Sequence, residues 1–266
     1  MMEEFYLEEK AIKAGGGQVI IIGGSKLFHG APLLSLKVAS KMVDMVFFAS
    51  PEPLLGKVAE KLKSKLFSFI WVPWEERKEY IKKSDAVLIG PGLMRYRKEG
   101  GETFDKVGKE TKKITEELLS RFSHKQWVID AGSLQVMEPK YIPKKAILTP
   151  NQKEYQLLFD KSKPEEMAKR YQCIIVKKNV ETLVCSAGKC QMIKGGNEGL
   201  SKGGTGDVLA GLTVALAAQN LPFFAACAAS FIVKKAADVL YQKFGFAYNA
   251  DDLAGEIPKL LGEYIC

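Results

Sequence analysis

Lys202-Gly203-Gly204-Thr205-Gly206-Asp207-Val208-Leu209-Ala210-Gly211-Leu212-Thr213-Val214-Ala215-Leu216-Ala217-Ala218 is the stretch that decides how this chain folds. From Val208 onward it is apolar on nearly every face, which predicts a buried helix. Three glycines, Gly203, Gly204 and Gly206, fall within four positions at its start, and a carboxylate follows. The first turn of a helix has unpaired N–H groups and a partial positive charge. Glycines let an anion approach those groups. Lys194 and Lys202 flank the run and add positive charge. The pattern predicts an anion-binding turn with Asp207 beside the anion, placed to take the proton of an attacking hydroxyl. A lone Gly-Asp before a helix is more often an N-cap; the glycine density and the two lysines favour the anion site. Valine at Gly204 is expected to exclude the anion and leave the fold largely intact.

Outward from this turn, short β-branched runs alternate with helical spacing. Strands are expected at 18–22, 45–48, 67–72, 86–89, 127–129, 146–148 and 174–176, and a hairpin at 182–185 and 190–193. Helices are expected at 31–42, 53–65, 75–83, 102–122, 151–159, 164–171, 223–244 and 251–261. This alternation predicts a doubly wound α/β fold with a mostly parallel central sheet flanked by helices. One domain is expected over 1–266, with 1–16 as an N-terminal extension. Gly23-Gly24-Ser25, Gly90-Pro91-Gly92, Asp130, Thr149-Pro150-Asn151 and Lys177 all follow strands. Ligands of open α/β sheets bind beyond the carboxyl ends of the strands. Gly23, Gly92, Asp130, Asn151, Lys177 and Asp207 are therefore expected around one cleft.

Composition narrows the function classes. The 266 residues carry a net charge of +8 without a block of five like charges, which argues against a nucleic-acid tail. A diffuse positive field suits a small polyanion such as a nucleotide. Cys173, Cys185, Cys190, Cys227 and Cys266 are odd in number and form no CxxC, so buried or incidental thiols in a reducing compartment are expected. His29 and His124 are too few for a zinc site of ordinary spacing, and no metal-ligating residue is assigned. The first fourteen residues are acidic and mixed, unlike a signal peptide, and no apolar run reaches membrane-spanning length. A cytoplasmic protein with no membrane partner is expected. A P-loop, a Rossmann fingerprint after the first strand and a Gly-x-Ser-x-Gly elbow are absent. Trp71, Trp74 and Trp127 read as packing residues.

In order, these segments resemble the ADP/ATP-dependent NAD(P)H-hydrate dehydratases, ribokinase-like enzymes that repair hydrated NADH and NADPH. Val19-Ile20-Ile21-Ile22-Gly23-Gly24-Ser25 with Gly30-Ala31-Pro32 is similar to the family's opening strand and its Gly-Ala-Pro. Gly90-Pro91-Gly92-Leu93 is similar to Gly-Pro-Gly-Leu-Gly, Asp130-Ala131 to Asp-Ala-Asp, and Thr149-Pro150 with Glu154 to Leu-Thr-Pro-His-x-x-Glu. Gly203-Gly204-Thr205-Gly206-Asp207 matches closely. The chain departs from the family at Asn151 for histidine, Gly132 for the second aspartate, Met94 for the last glycine, and Lys177-Lys178 for Lys-Gly.

The resemblance implies a ribokinase-like fold and a two-step reaction. ATP or ADP phosphorylates the hydroxyl of the hydrated nicotinamide ring, and loss of phosphate restores the dihydropyridine. Mg2+ would bridge phosphate oxygens, mostly through water. Asp207 is implied as the catalytic base. Lys177, Lys178, Asn179, Val180, Glu181, Gly203, Gly204, Thr205 and Gly206 are implied at the nucleotide, and Ala31, Gly92, Asn151 and Asp207 at NADHX or NADPHX. A homo-oligomer, often a tetramer, is also implied. The alternative is a kinase of the same superfamily acting on a small alcohol such as a sugar or vitamin precursor, which the departures at Asn151 and Gly132 favour. A nucleotide-binding protein without catalysis is the third reading, and the intact Gly-Gly-Thr-Gly-Asp argues against it. No epimerase domain is expected in this chain.

Overall fold

Strands that are apolar on both faces need cover on both faces, and this requirement sets the layers of the molecule. The computed structural model describes residues 3–8, 11–13, 15–62, 66, 68–95 and 105–265. Its elements run β1 (Glu3–Glu4), β2 (Gln18–Ile22), α1 (Gly30–Ala39), β3 (Met45–Ala49), α2 (Leu54–Leu62), β4 (Ile70–Val72), α3 (Arg77–Lys83), β5 (Ala86–Ile89), α4 (Lys106–Arg121), β6 (Gln126–Ile129), α5 (Ala131–Val136), β7 (Ile147–Leu148), α6 (Gln152–Phe159), α7 (Pro164–Tyr171), β8 (Ile174–Lys177), β9 (Thr182–Cys185), β10 (Cys190–Ile193), α8 (Thr205–Ala217), α9 (Pro222–Phe244) and α10 (Ala250–Leu261). The strands form one ten-stranded sheet in the order β1-β10-β9-β8-β7-β6-β5-β2-β3-β4. From β8 to β4 every neighbouring pair is parallel. Only β9 runs antiparallel to its neighbours, β8 and β10, while β1 lies parallel to β10.

Side chains alternate across this sheet with the strand period of two. Val19 and Ile21 of β2 join the core beneath α1, α8, α9 and α10, whereas Ile20 and Ile22 join the opposite core beneath α3 to α7. The buried helix expected from the sequence is α8, and it packs closely on α1. A Cβ on Gly211 would stand 2.5 Å from Ser35 Cα. Ser35 Oγ donates to the Asp207 carbonyl at 2.7 Å, which pins the first turn of α8 to α1.

The order of the strands reverses at β2. Its next strands in sequence, β3 and β4, lie on one side, and β5 to β8 lie on the other. The loops leaving β2 and β5 therefore part in opposite directions and open a crevice between them. Gly24 N donates to Pro91 O at 2.7 Å and ties the floor of that crevice together.

Several expectations are adjusted. The expected helix ends at 63–65 and 102–104 and the strand start at 67 lie outside the described residues. Within them, α4 begins at Lys106 because Asp105 Oδ1 accepts from Val107 N and Gly108 N, both at 3.0 Å. The segment 75–83 divides into a 3₁₀ turn, Trp74–Glu76, and α3. Helix α5 was not expected, since its six residues are too short to show a helical period. Within 1–16, β1 pairs with β10, and buried Ile12 bridges to Ile265. The cysteine reading is corrected: Cys185 and Cys190 face each other across the β9–β10 hairpin and form a disulfide. The pair was missed because it closes a hairpin, with a sequence separation of 5, and not a CxxC turn. Cys173 and Cys227 are free and buried, and burial pushes both thiols up to about 12.

Candidate active site

The start of α8 is built as an open anion turn. Gly204 is its N-cap, in the left-handed region at φ 90°, with no side-chain cap. A Cβ there would lie 2.5 Å from Leu34 Cδ1 and 2.9 Å from Ala250 Cβ, so position 204 requires glycine for the fold itself. This corrects the expectation that Gly204→Val spares the fold. We expect that variant to lose stability by an amount visible in thermal melts. Gly203→Ala, where a Cβ would meet nothing within 4 Å, should melt like the parent chain. Equal melting of all three proteins would contradict this packing. The N–H groups of Gly203, Gly204 and Gly206 have no hydrogen-bond acceptor among the described residues. Thr205 closes the turn instead of facing outward, its hydroxyl shared between Leu200 O at 2.6 Å and Lys202 O at 2.8 Å.

The lysines expected to flank this turn are engaged elsewhere. Lys202 Nζ donates to the carbonyls of Phe246 and Tyr248, and Lys194 Nζ pairs with Glu4 Oε2 at 2.6 Å. The lysine that reaches the turn is Lys178. Its Nζ lies 3.0 Å from Asp130 Oδ1 and 3.2 Å from where a Cβ on Gly206 would stand. Asp130 is buried and also accepts from Thr149 Oγ1 at 2.8 Å.

Asp207 is the third residue of α8 and is half-buried. Burial, then repulsion from Asp130, pushes its carboxyl up to about 7; Lys178 opposes the shift and Glu154 adds to it. A carboxyl poised near neutrality suits a general base, and an N-cap role is excluded because Gly204 holds the cap.

Asp207 opens into a pocket of about 250 Å3 at the crevice between the β2 and β5 loops. Ala31 and Gly92 line it. Gly92 has φ 71°, and a Cβ there would meet Phe28 O at 2.2 Å, so the loop after β5 can pass this close only with glycine. Phe28, Leu93, Met94, Arg95, Ala131, Gly132 and Gln135 complete the wall. Single residues such as Phe28 and Gln135 carry no sequence signal of this role. Gly132 is explained by packing: a Cβ would lie 2.0 Å from Leu93 O, so no aspartate fits there without a backbone shift.

Other expected residues lie apart from the pocket wall. Asn151 is exposed and caps α6 in a capping box: its Oδ1 accepts from Glu154 N, and Glu154 Oε2 accepts from Asn151 N, both at 2.9 Å. The same Glu154 accepts from pocket residue Gln135 at 2.9 Å through Oε1. Lys177 faces the α6 side of the sheet, with Nζ 4.9 Å from the Tyr155 ring centre. Asn179, Val180 and Glu181 form an exposed turn. Buried Lys234 of α9 donates to Val180 O at 2.6 Å and Gly195 O at 2.8 Å, which fastens this turn to the loop after β10. Among the described residues, no group of three or more His, Cys, Asp or Glu is placed to hold a metal ion. No described helix is long and apolar enough to cross a membrane.

A family model described as NAD(P)H-hydrate dehydratase matches residues 19–259. The chain belongs to the NAD(P)H-hydrate dehydratase family. It is 34% identical over 260 residues to the bifunctional NAD(P)H-hydrate repair enzyme Nnr of Methanocaldococcus jannaschii, a match that covers 94% of this chain and 49% of that protein. The chain thus spans about half the length of this relative. It is 26% identical to the ADP-dependent (S)-NAD(P)H-hydrate dehydratase of Nitrosopumilus maritimus, with 96% of this chain and 91% of that protein covered. Among solved structures, a ribokinase-like superfamily protein of Enterococcus faecalis superposes with a TM-score of 0.78 at 23% identity, covering 94% of this chain and 88% of that one. The ADP/ATP-dependent NAD(P)H-hydrate dehydratase of Bacillus subtilis, co-crystallised with ATP/Mg2+ and soaked with CoA, gives 0.74 at 20% identity, covering 97% and 94%. These likenesses show that the fold of this family member is ribokinase-like.

Proposed function

We propose that this chain dehydrates hydrated NADH and NADPH at the expense of ADP or ATP. The observation that carries the reading is the meeting of Asp207, the open glycine turn and the pocket of Ala31 and Gly92. The names of the relatives supply the substrate class. In this reading Asp207 takes the proton of the ring hydroxyl as its oxygen attacks the terminal phosphorus. The bridging P–O bond breaks and leaves AMP or ADP. N–H groups of Gly203, Gly204 and Gly206 hold the charge on the transferred group. The ring nitrogen's lone pair then expels phosphate from the adjacent carbon, and the next ring carbon releases a proton to restore the double bond.

A volume of about 250 Å3 lies below the roughly 300–1,000 Å3 usual for small-molecule sites, so the pocket suits the reacting ring and not a whole dinucleotide. Lys178 to Glu181 and Gly203 to Gly206 are assigned to the nucleotide, and Ala31, Gly92 and Asp207 to the hydrated ring; the Lys177 side chain, over Tyr155 on the other face, is left out. Asn151 acts on that ring only indirectly, through Glu154 and Gln135. Mg2+ would be carried in by the nucleotide and would neutralise phosphate charge. The same reading takes the protein as cytoplasmic and homo-oligomeric.

Hydrated NADH with Mg2+ and either ADP or ATP tests the proposal. Near-ultraviolet absorbance of the dihydronicotinamide should return, with one phosphate released per ring. Failure with both nucleotides, together with phosphorylation of a small alcohol by the same preparation, would replace the dehydratase by a kinase.

A further inference from the structure

Few of the described lysines can meet a phosphate at the glycine turn. Lys177 is turned to the far face over Tyr155, Lys194 is paired with Glu4, and Lys202 and Lys234 are held by backbone carbonyls. Asp130, Glu154 and Asp207 meanwhile all bring negative charge to bear on the Lys178 ammonium beside the turn. A phosphate entering there meets strong repulsion unless a cation offsets it. Arg95 lies in the pocket wall, and Lys178 is the lysine in place at the turn. Its backbone N–H donates to Pro150 O at 3.0 Å, which sets the chain direction beyond β8. Its side chain then crosses to Asp130 Oδ1 at 3.0 Å, and the ammonium rests against Gly206 of the open turn. An ammonium has three donors, and Asp130 is its one hydrogen-bonded side-chain partner among the described residues.

We infer that Lys178 binds the terminal phosphoryl group of the nucleotide, keeping Asp130 as its counter-ion, and so selects ADP and ATP over AMP. The inference rests on the glycine turn as the phosphate site, but not on the identity of the acceptor. In the transfer step the lysine stays protonated. It neutralises the oxygens of the migrating group while the new O–P bond forms and the bridging bond breaks. Lys177, its sequence neighbour, plays no such part, because strand alternation sends it to the other face.

Titration calorimetry of the whole chain with ADP, ATP and AMP in Mg2+ tests this without any acceptor, so it is read independently of the dehydratase assay. Lys178→Met should weaken ADP and ATP by about 10- to 100-fold and AMP by less than about 3-fold, the range expected for one charge-assisted contact. Lys178→Arg should restore most of the preference. Should the methionine variant fold poorly, Lys178→Gln, which keeps a polar end without the charge, should show the same selective loss. An equal loss for all three nucleotides would mean that the lysine is only structural. Unchanged affinities would remove it from the phosphate site.

Discussion

Asp207→Asn is expected to lower turnover by about 10²- to 10⁴-fold, the usual worth of a positioned general base. Asparagine keeps the size of the side chain and the first turn of α8 but cannot take the hydroxyl proton. Nucleotide affinity should hold or rise, because a charge beside the phosphate is removed. The pH dependence gives a second readout. With the wild-type carboxyl at about 7, kcat/KM should rise with pH through that region as the base ionises, and the variant should lack this limb. Stability should move as well. Between the ordinary carboxylate value of 3.8 and about 7 the folded protein holds a proton that the unfolded chain releases, so this group lowers stability as pH rises through the window. The variant should therefore gain stability relative to wild type from acid to neutral pH, with a constant difference above it. Near-normal turnover with an unchanged pH profile would reduce Asp207 to a structural residue.

Much of this arrangement was legible in the sequence, and the missing parts share a physical cause. Buried parallel strands such as β2 and β5 announce themselves as unbroken apolar runs, and α8 does so as a helix without a polar face. The glycine turn was readable because three glycines before such a helix leave its first N–H groups open to an anion. The partners of long cations were not readable. In sequence, Lys178, Lys194 and Lys202 look alike; only the tertiary fold brings one to Asp130, one to Glu4 and one to two carbonyls. Helix α5 and β1 are too short to carry a period and form because their neighbours hold them. Asn151 differs, since Asn-x-x-Glu ahead of a helix is itself a capping-box signal, so its structural role is legible in the sequence.

Asp130 should yield two separable effects. Asp130→Ala leaves the Lys178 ammonium beside the core without its counter-ion and leaves the Thr149 hydroxyl without its 2.8 Å acceptor. Breaking a buried pair in this way costs about 3–5 kcal/mol, so a drop in Tm of about 10 °C is expected in a chain of this size. Asp130→Asn keeps an oxygen that can accept from both groups, so its Tm should fall far less. The asparagine variant isolates the electrostatic part. Asp130 is the second-largest cause that raises the Asp207 carboxyl, after burial, while Lys178 lowers it. With the repulsion gone and the lysine in place, the Asp207 carboxyl falls below about 7 and the acid limb of kcat/KM moves to lower pH. A weaker base accepts the hydroxyl proton less readily, so the maximal rate should fall even as the limb moves. At acid pH the variant should thus keep a larger share of its own maximum than wild type keeps. An acid limb that stays in place would mean that Asp130 does not set the charge of Asp207, and that burial alone accounts for its poise.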